Sequence, residues 1–189
     1  MRLSKTVWAG FATLVTALGC GGSDSSGPPV ISTLQNDDFS GGSPTFEAGF
    51  VSGDAAAARL GPQTAGFTIR KVQFLFGGDT ATKTFTLTIY ADSGTTNPGA
   101  VLHSADYSRK GSNSAMQEID LSSLNLHVAA QQTIRVAIAF QHDGVPSVAI
   151  DGARTASRNL INANPTGWTT AEALGINGDF IIRTEISTP

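Results

Sequence analysis

The chain has little of several features that would indicate a function at once. Its single cysteine excludes an intrachain disulfide, and charged residues make up only 14% of its 189 residues. No polybasic stretch of the kind that holds nucleic acid is present. The Gly-x-Ser-x-Gly and His-Glu-x-x-His motifs of common hydrolases are also missing. These absences exclude a disulfide-linked scaffold and argue against a nucleic-acid-binding protein.

The amino-terminal segment has the features of an export signal. Arg2 and Lys5 precede a mostly apolar run from Val7 to Leu18. That run is about a dozen residues long, whereas a membrane-spanning helix needs about 20. We therefore predict that residues 1–19 are a cleaved signal peptide.

The only cysteine, Cys20, follows this segment directly. The sequence Ala17-Leu18-Gly19-Cys20 resembles a bacterial lipobox, although the favoured leucine of that motif would stand where Ala17 lies. The resemblance implies a diacylglyceryl group on Cys20. Because Gly21 rather than aspartate follows, it also implies anchoring at the outer membrane or cell surface. The alternative is a general signal peptidase that leaves Cys20 as a free thiol.

Cleavage before Cys20 would leave 189 − 19 = 170 residues, which fits one domain and a tether. Without Arg2 and Lys5 the chain keeps 12 − 2 = 10 basic and 15 acidic residues, a net charge of 10 − 15 = −5. This mild acidity argues again against nucleic acid as a partner and leaves the lipid as the contact with the membrane. Residues 20–44 are rich in Gly, Ser, Pro and Asp, so they are predicted to be a flexible linker before a domain at 45–189.

The rest of the chain has the period-two pattern of β-strands. In the segment 83–91, Phe85, Leu87 and Ile89 alternate with threonines, and segments 133–141 and 179–187 repeat the pattern. Asp54–Leu60 has four consecutive alanines but is too short for a stable helix, so it is also predicted as a strand. Further strands, separated by Gly, Pro, Asn and Asp turns, are predicted at 45–51, 67–76, 100–107, 116–121, 124–129 and 147–150. The fold class predicted is therefore all-β, an antiparallel sandwich of jelly-roll type.

The segment 67–102 resembles the bacterial surface domains called choice-of-anchor domains. Tyr90, Asp92, Pro98 and Gly99 carry this resemblance, as a strand, a Tyr-x-Asp turn and a Pro-Gly before the next strand. The resemblance implies a cell-surface domain that is joined to interchangeable anchors. It implies no catalytic activity.

Candidates for catalysis are few. His103, His127 and His142 stand singly on different predicted strands, which does not favour a histidine metal site. His142, Asp143 and Ser147 are close in sequence, but adjacent side chains on a strand point to opposite faces, so a relay is not expected. The sequence therefore predicts a protein that is not an enzyme, and a secreted hydrolase is the weaker alternative.

Calcium is the only cofactor hypothesis that the residues suggest. Asp92, Asp151 and Asp179 stand beside turn glycines, and calcium prefers carboxylate and carbonyl oxygens. The alternative is that these aspartates only form turns.

Carbohydrate is the ligand class that the aromatic residues suggest. Trp168 is the only tryptophan after the predicted signal peptide, and Tyr90 and Tyr107 are the chain's two tyrosines. Aromatic rings stack on the C–H faces of sugars, and polar neighbours reach the hydroxyls. The hypothetical site comprises Trp168, Asn162, Asn164, Thr169, Tyr90 and Tyr107. The alternatives are that Trp168 closes the end of the core, and that the partner is a surface protein bound at an apolar patch or sheet edge.

Overall fold

The computed structural model describes residues 27–152 and 155–189; the predicted signal peptide and Cys20 lie outside the described residues. In the described part of the chain, no helix is long and apolar enough to cross a membrane. These residues form two short 3-10 helices, at Ser122–Leu124 and Ala171–Leu174, and fourteen strands: β1 Val30–Leu34, β2 Thr45–Phe46, β3 Ala55–Leu60, β4 Phe67–Phe74, β5 Phe76–Gly77, β6 Thr82–Ala91, β7 Val101–Lys110, β8 Gln117–Asp120, β9 Leu126–Val128, β10 Ile134–Phe140, β11 Ser147–Ile150, β12 Asn159–Ala163, β13 Gly167–Thr170 and β14 Ile182–Thr188.

The strands form two large sheets and one small sheet. The six-stranded sheet has the order β13-β12-β3-β10-β6-β7, and the five-stranded sheet has the order β1-β14-β4-β8 with β9 also pairing with β4. The small sheet has the order β2-β11-β5. All of these strand pairs are antiparallel. The predicted all-β antiparallel sandwich is confirmed.

The core contains the inward side chains of the large sheets. Phe85, Leu87 and Ile89 of β6 are all 0% exposed, as their period-two spacing predicted. The ring of Phe85 packs edge-on against Phe74 of β4 with centroids 5.3 Å apart, and its centroid is 5.5 Å from that of Phe76. This aromatic cluster joins the two large sheets.

The alanine run forms strand β3, as predicted. Ala56 and Ala58 belong to the main core, whereas Ala57 packs on the opposite face of the same sheet. On that opposite face, which we call the outer face, Ala57 pairs directly with Ala137 of β10. The two small side chains leave room above the sheet for a larger group.

The domain begins at Val30 rather than at Thr45. Strand β1 pairs with β14, from Val30 opposite Thr188 to Leu34 opposite Thr184. Asp37, whose side chain is 0% exposed, then pairs with Arg183 of β14. The linker prediction missed this strand because an edge strand with one solvated side lacks a continuous apolar pattern.

The structure also differs from the sequence prediction at other places. Only Thr45–Phe46 of the predicted strand 45–51 is extended in a sheet, and Phe50 instead packs against Phe140 with ring centroids 4.6 Å apart. Strands β12 and β13 are absent from the predicted strands, and they flank a turn that contains Asn164 and Pro165. Because turn-forming residues dominate this segment, the short strands on either side of the turn were not apparent in the sequence.

Candidate functional site

An aromatic pair lies on the outer face of the six-stranded sheet. The rings of Trp168 on β13 and Tyr90 on β6 are 6.2 Å apart and nearly perpendicular, at 84°. Both side chains are partly buried, and they pack on Ala57, Ala137 and Leu160 of the strands between them. Trp168 is therefore not a plug of the main core, because it packs with a separate cluster outside it.

A buried arginine supports this pair. Arg135 on β10 is 0% exposed, and its guanidinium carbon lies 4.9 Å from the centre of the Trp168 ring. The guanidinium donates to both carboxylate oxygens of Asp92, at 3.2 and 3.3 Å. It also donates to the backbone carbonyls of Thr95 at 2.9 Å and Thr96 at 2.8 Å. These bonds hold the loop after β6 and the indole against one rigid group.

Asp92, at the start of this loop, makes further hydrogen bonds that fix the loop. Its Oδ2 accepts a second guanidinium bond from Arg59 at 2.7 Å, and its Oδ1 accepts the N–H of Gly94 at 2.8 Å. Burial raises the pKa of Asp92, but the hydrogen bonds and charge of Arg135, with Gly94 and Arg59, outweigh burial and leave the pKa below its ordinary value. The Asp92 carboxylate, a proposed calcium ligand, is therefore paired with two arginines.

The other two predicted calcium ligands lie in a separate network. The N–H of Asp151 donates to the carbonyl of Asp179 at 3.0 Å, and the N–H of Asp179 donates back to Oδ1 of Asp151 at 3.2 Å. The Asp179 carboxylate accepts bonds from the Thr155 N–H and hydroxyl and from Asn159. Within residues 27–152 and 155–189, no three His, Cys, Asp or Glu side chains are grouped so that they could hold a metal ion.

A strip of polar side chains continues the outer face beyond the aromatic pair. It consists of cross-strand hydrogen bonds between β6 and β7, namely Thr84 to Ser108 at 2.8 Å, Thr86 to Asp106 at 2.7 Å and Thr88 to Ser104 at 3.0 Å. The side-chain amide of Gln141 also donates to the Thr86 hydroxyl, at 3.1 Å. Hydrogen bonds, that of Thr86 first, hold the pKa of the exposed Asp106 below its ordinary value. We call these residues the polar strip.

Of the six residues predicted for a carbohydrate site, three share the outer face. Asn162 pairs directly with Trp168 and so points to the same side, together with Tyr90. Thr169 pairs with the core residue Ile161 and so belongs to the opposite face.

Tyr107 and Asn164 also lie away from the aromatic pair. Tyr107 packs towards the core against Phe85, with ring centroids 6.5 Å apart, and its hydroxyl is 3.2 Å from Nε2 of His103. Asn164 lies in the β12–β13 turn, where its N–H donates to Asp54 at 2.8 Å. The structure therefore reduces the predicted set to Trp168, Tyr90 and Asn162.

The three residues considered for a catalytic relay have separate surroundings. The ring of His142 packs between Phe76 and Phe140, with centroid distances of 6.1 and 5.9 Å. The Asp143 carboxylate accepts the N–H of Ser52 at 2.8 Å. Ser147 is buried in β11, and its hydroxyl has no hydrogen-bond partner among the described residues.

Sequence reasoning missed Arg135, Arg59 and the polar strip. A signal for Arg135 was present, because it occupies an outward position of a strand whose other outward residues are the small Ala137 and Ala139. A buried arginine needs a carboxylate partner, but the sequence does not show which aspartate provides it.

Comparison with known proteins adds no assignment to this geometry. No family model, no curated protein and no solved structure matches the chain.

Proposed function

We propose that the chain is a cell-surface lipoprotein whose β-sandwich domain binds carbohydrate without catalysing a reaction. The observation that carries this proposal is the aromatic pair of Trp168 and Tyr90 on the outer face of the six-stranded sheet. Exported binding domains use such rings because pyranose C–H faces stack on them. The lipid on Cys20 would hold the domain at the membrane, and the linker would separate the two.

The surroundings of the rings suit a sugar as a ligand. Arg135 keeps the indole of Trp168 in place, so little conformational entropy is lost when a ligand stacks on it. Asn162 and the polar strip offer amide, hydroxyl and carboxylate groups on the same face. A sugar presents both an apolar face and hydroxyls, and this combination of side chains complements both.

A surface protein is the second candidate partner, and the edge strand β1 favours it. Val30 and Ile31 on this strand are 60% and 49% exposed, and among the described residues β1 pairs on one side only, with β14. An open strand edge with exposed apolar side chains can accept a strand of another chain.

The test is a titration of Trp168 fluorescence with cell-wall and extracellular polysaccharides. Every strand of the described structure lies within residues 30–188, so a soluble chain that starts at Gly21 keeps all of these contacts. In that chain Trp168 is the only tryptophan, and a bound sugar is expected to change its emission in a saturable way. Addition of calcium or a chelator in parallel tests the calcium hypothesis.

Two variants make the test specific. Trp168→Ala should abolish binding in a pull-down with the polysaccharide, while far-UV circular dichroism shows that the fold is retained. Tyr107→Phe is the matched aromatic control, because that ring faces the core and not the pair, and it should bind as the wild type does. No response across the panel, or equal binding by both variants, would refute a glycan site at the pair.

A further inference from the structure

A polar cleft borders the outer face, next to the Arg59–Asp92 ion pair. Its cavity volume is about 430 Å³, within the range of small-ligand sites. Three loops form it: the turn after β6, the turn before β10 and the segment before β12. The lining residues that matter here are Arg59, Asp92, Gln131, Ser157 and Arg158.

Positive charge exceeds negative charge around this cleft. Arg59 and Arg158 line it, and Arg135 lies behind Asp92, to which it is bonded. The acidic groups are Asp92 and, at the margin, Glu172, which accepts the N–H of Ser157 at 3.0 Å. Among the described residues, three arginines against two carboxylates leave an excess of 3 − 2 = 1 positive charge, in a chain whose net charge is −3.

Arg158 is the arginine that remains available to a ligand. Arg59 already donates to Asp92 and to the carbonyls of Ser157 and Thr95. Arg158 is only partly buried, and its guanidinium makes one hydrogen bond to a described residue, the carbonyl of Gly61 at 2.9 Å. Among the described residues, no carboxylate lies within salt-bridge distance of it. A guanidinium has five N–H donors, so most of them stay free to bind a planar anion.

The backbone of the cleft has an uncommon conformation. Gln131 and Ser157 have φ values of 62° and 60°, and they are two of the three non-glycine residues with positive φ in the described structure. Such residues cost energy and concentrate at functional sites. Gln131 is exposed, and its side-chain amide makes no hydrogen bond in the described structure, so it can also reach a ligand.

The cleft and the aromatic pair are connected through the loop after β6, which contains Thr95. The carbonyl of Thr95 accepts bonds from both Arg59 and Arg135, and Arg135 stacks on Trp168. The loop that lines the cleft and the ring of Trp168 are therefore held by the same arginine, Arg135.

We propose that this cleft binds the carboxylate of an acidic sugar, with Arg158 as its direct partner, so that the ligand of the domain is a polyuronate. This inference rests on the proposed carbohydrate-binding function and names its substrate class. A carboxylate matches the planar donor pairs of a guanidinium, whereas a neutral sugar would leave the positive charge uncompensated.

The test is an NMR titration of the soluble chain from Gly21 with oligogalacturonate and with its methyl-esterified counterpart, in which each carboxylate carries a methyl group and has lost its charge. Chemical shifts are followed at the Trp168 indole and at the amides of Gly94, Gln131 and Ser157. We expect both regions to respond to the acid, and the cleft to respond weakly to the ester. Arg158→Gln should weaken binding of the acid by about tenfold or more, as loss of a hydrogen bond to a charged group does.

Arg70→Gln is the control, because it removes the same charge from the five-stranded sheet, where Arg70 pairs loosely with Glu185 at 3.5 Å. Equal affinity for acid and ester, or equal weakening by the two variants, would overturn the inference. Shifts at Trp168 alone would overturn it and leave the carbohydrate proposal standing. Shifts at the cleft alone would support the carboxylate site and refute the aromatic pair as a sugar site. Equal displacement of the ligand by poly-glutamate would overturn the assignment to a sugar.

Discussion

The buried guanidinium of Arg135 is expected to be the single group on which the outer face depends most. Substituting Arg135→Met keeps an unbranched apolar stem but removes the charge and all donors. The change leaves the carbonyls of Thr95 and Thr96 without these donors and takes away the cation beside Trp168. It also removes one of the two arginines that neutralise Asp92.

The expected loss of stability in Arg135→Met depends on the interactions that Asp92 keeps. Breaking a buried ion pair costs about 3 to 5 kcal/mol, because the remaining charge is left without compensation. Asp92 keeps Arg59 at 2.7 Å and the N–H of Gly94 at 2.8 Å, so its charge stays partly compensated. We therefore expect a loss near the lower end, about 3 kcal/mol. For a domain of this size, that corresponds to a fall in Tm of about 6 to 12 °C.

The assay is urea unfolding of the soluble chain, followed by Trp168 fluorescence and by far-UV circular dichroism. Coincident transitions would justify a two-state free energy of unfolding. Arg70→Met is the control, since its ion pair with Glu185 is partly exposed and such surface pairs contribute less than about 1 kcal/mol. A loss below about 1 kcal/mol for Arg135→Met, or a loss equal to that of the control, would refute the reasoning.

Two further predictions concern the loop that Arg135 holds. Gly99→Ala should destabilise the domain, by about 2 kcal/mol or more, because its Cβ would lie 2.1 Å from the carbonyl oxygen of Ala91. Gly49→Ala, where nothing lies within 4 Å, should change the midpoint of urea unfolding little, and equal effects of the two would contradict this view. Since the pKa of Asp92 is lower in the folded state than its ordinary 3.8, its contribution to stability is present above that pH and is lost as the pH falls through the lowered pKa. Urea midpoints measured from about pH 5 to about pH 2 should therefore fall less steeply in Asp92→Asn than in the wild type, and identical slopes would contradict the assignment.

The structure explains why position 92 of the Tyr-x-Asp turn is an aspartate and why position 99 of the Pro-Gly turn is a glycine. Asp92 binds two arginines, and Gly99 leaves room for the carbonyl of Ala91. Both are structural roles within one loop. Two of the four residues that carry the surface-domain resemblance, Asp92 and Gly99, therefore shape the loop.

The sequence by itself determined the strands with strong alternation. Phe85, Leu87 and Ile89 are buried as their spacing predicted, because the side chains of a strand alternate between its two faces. The run of alanines was correctly assigned to a strand, since a helix of that length is marginal. The edge strand β1 was missed because one side of it faces solvent and its pattern is weak.

Only the tertiary structure decided which side chains meet. Trp168 and Arg135 are 33 residues apart, and Arg135 and Asp92 are 43 apart, so their contacts depend on the order of strands in the sheet. Tyr90 and Tyr107 looked equivalent in the sequence, but the register of β6 and β7 places Tyr107 opposite the core residue Phe85. Local alternation determines that a segment is a strand and which of its residues share a face. Strand order and register are non-local, and they determine which faces come together to make a site.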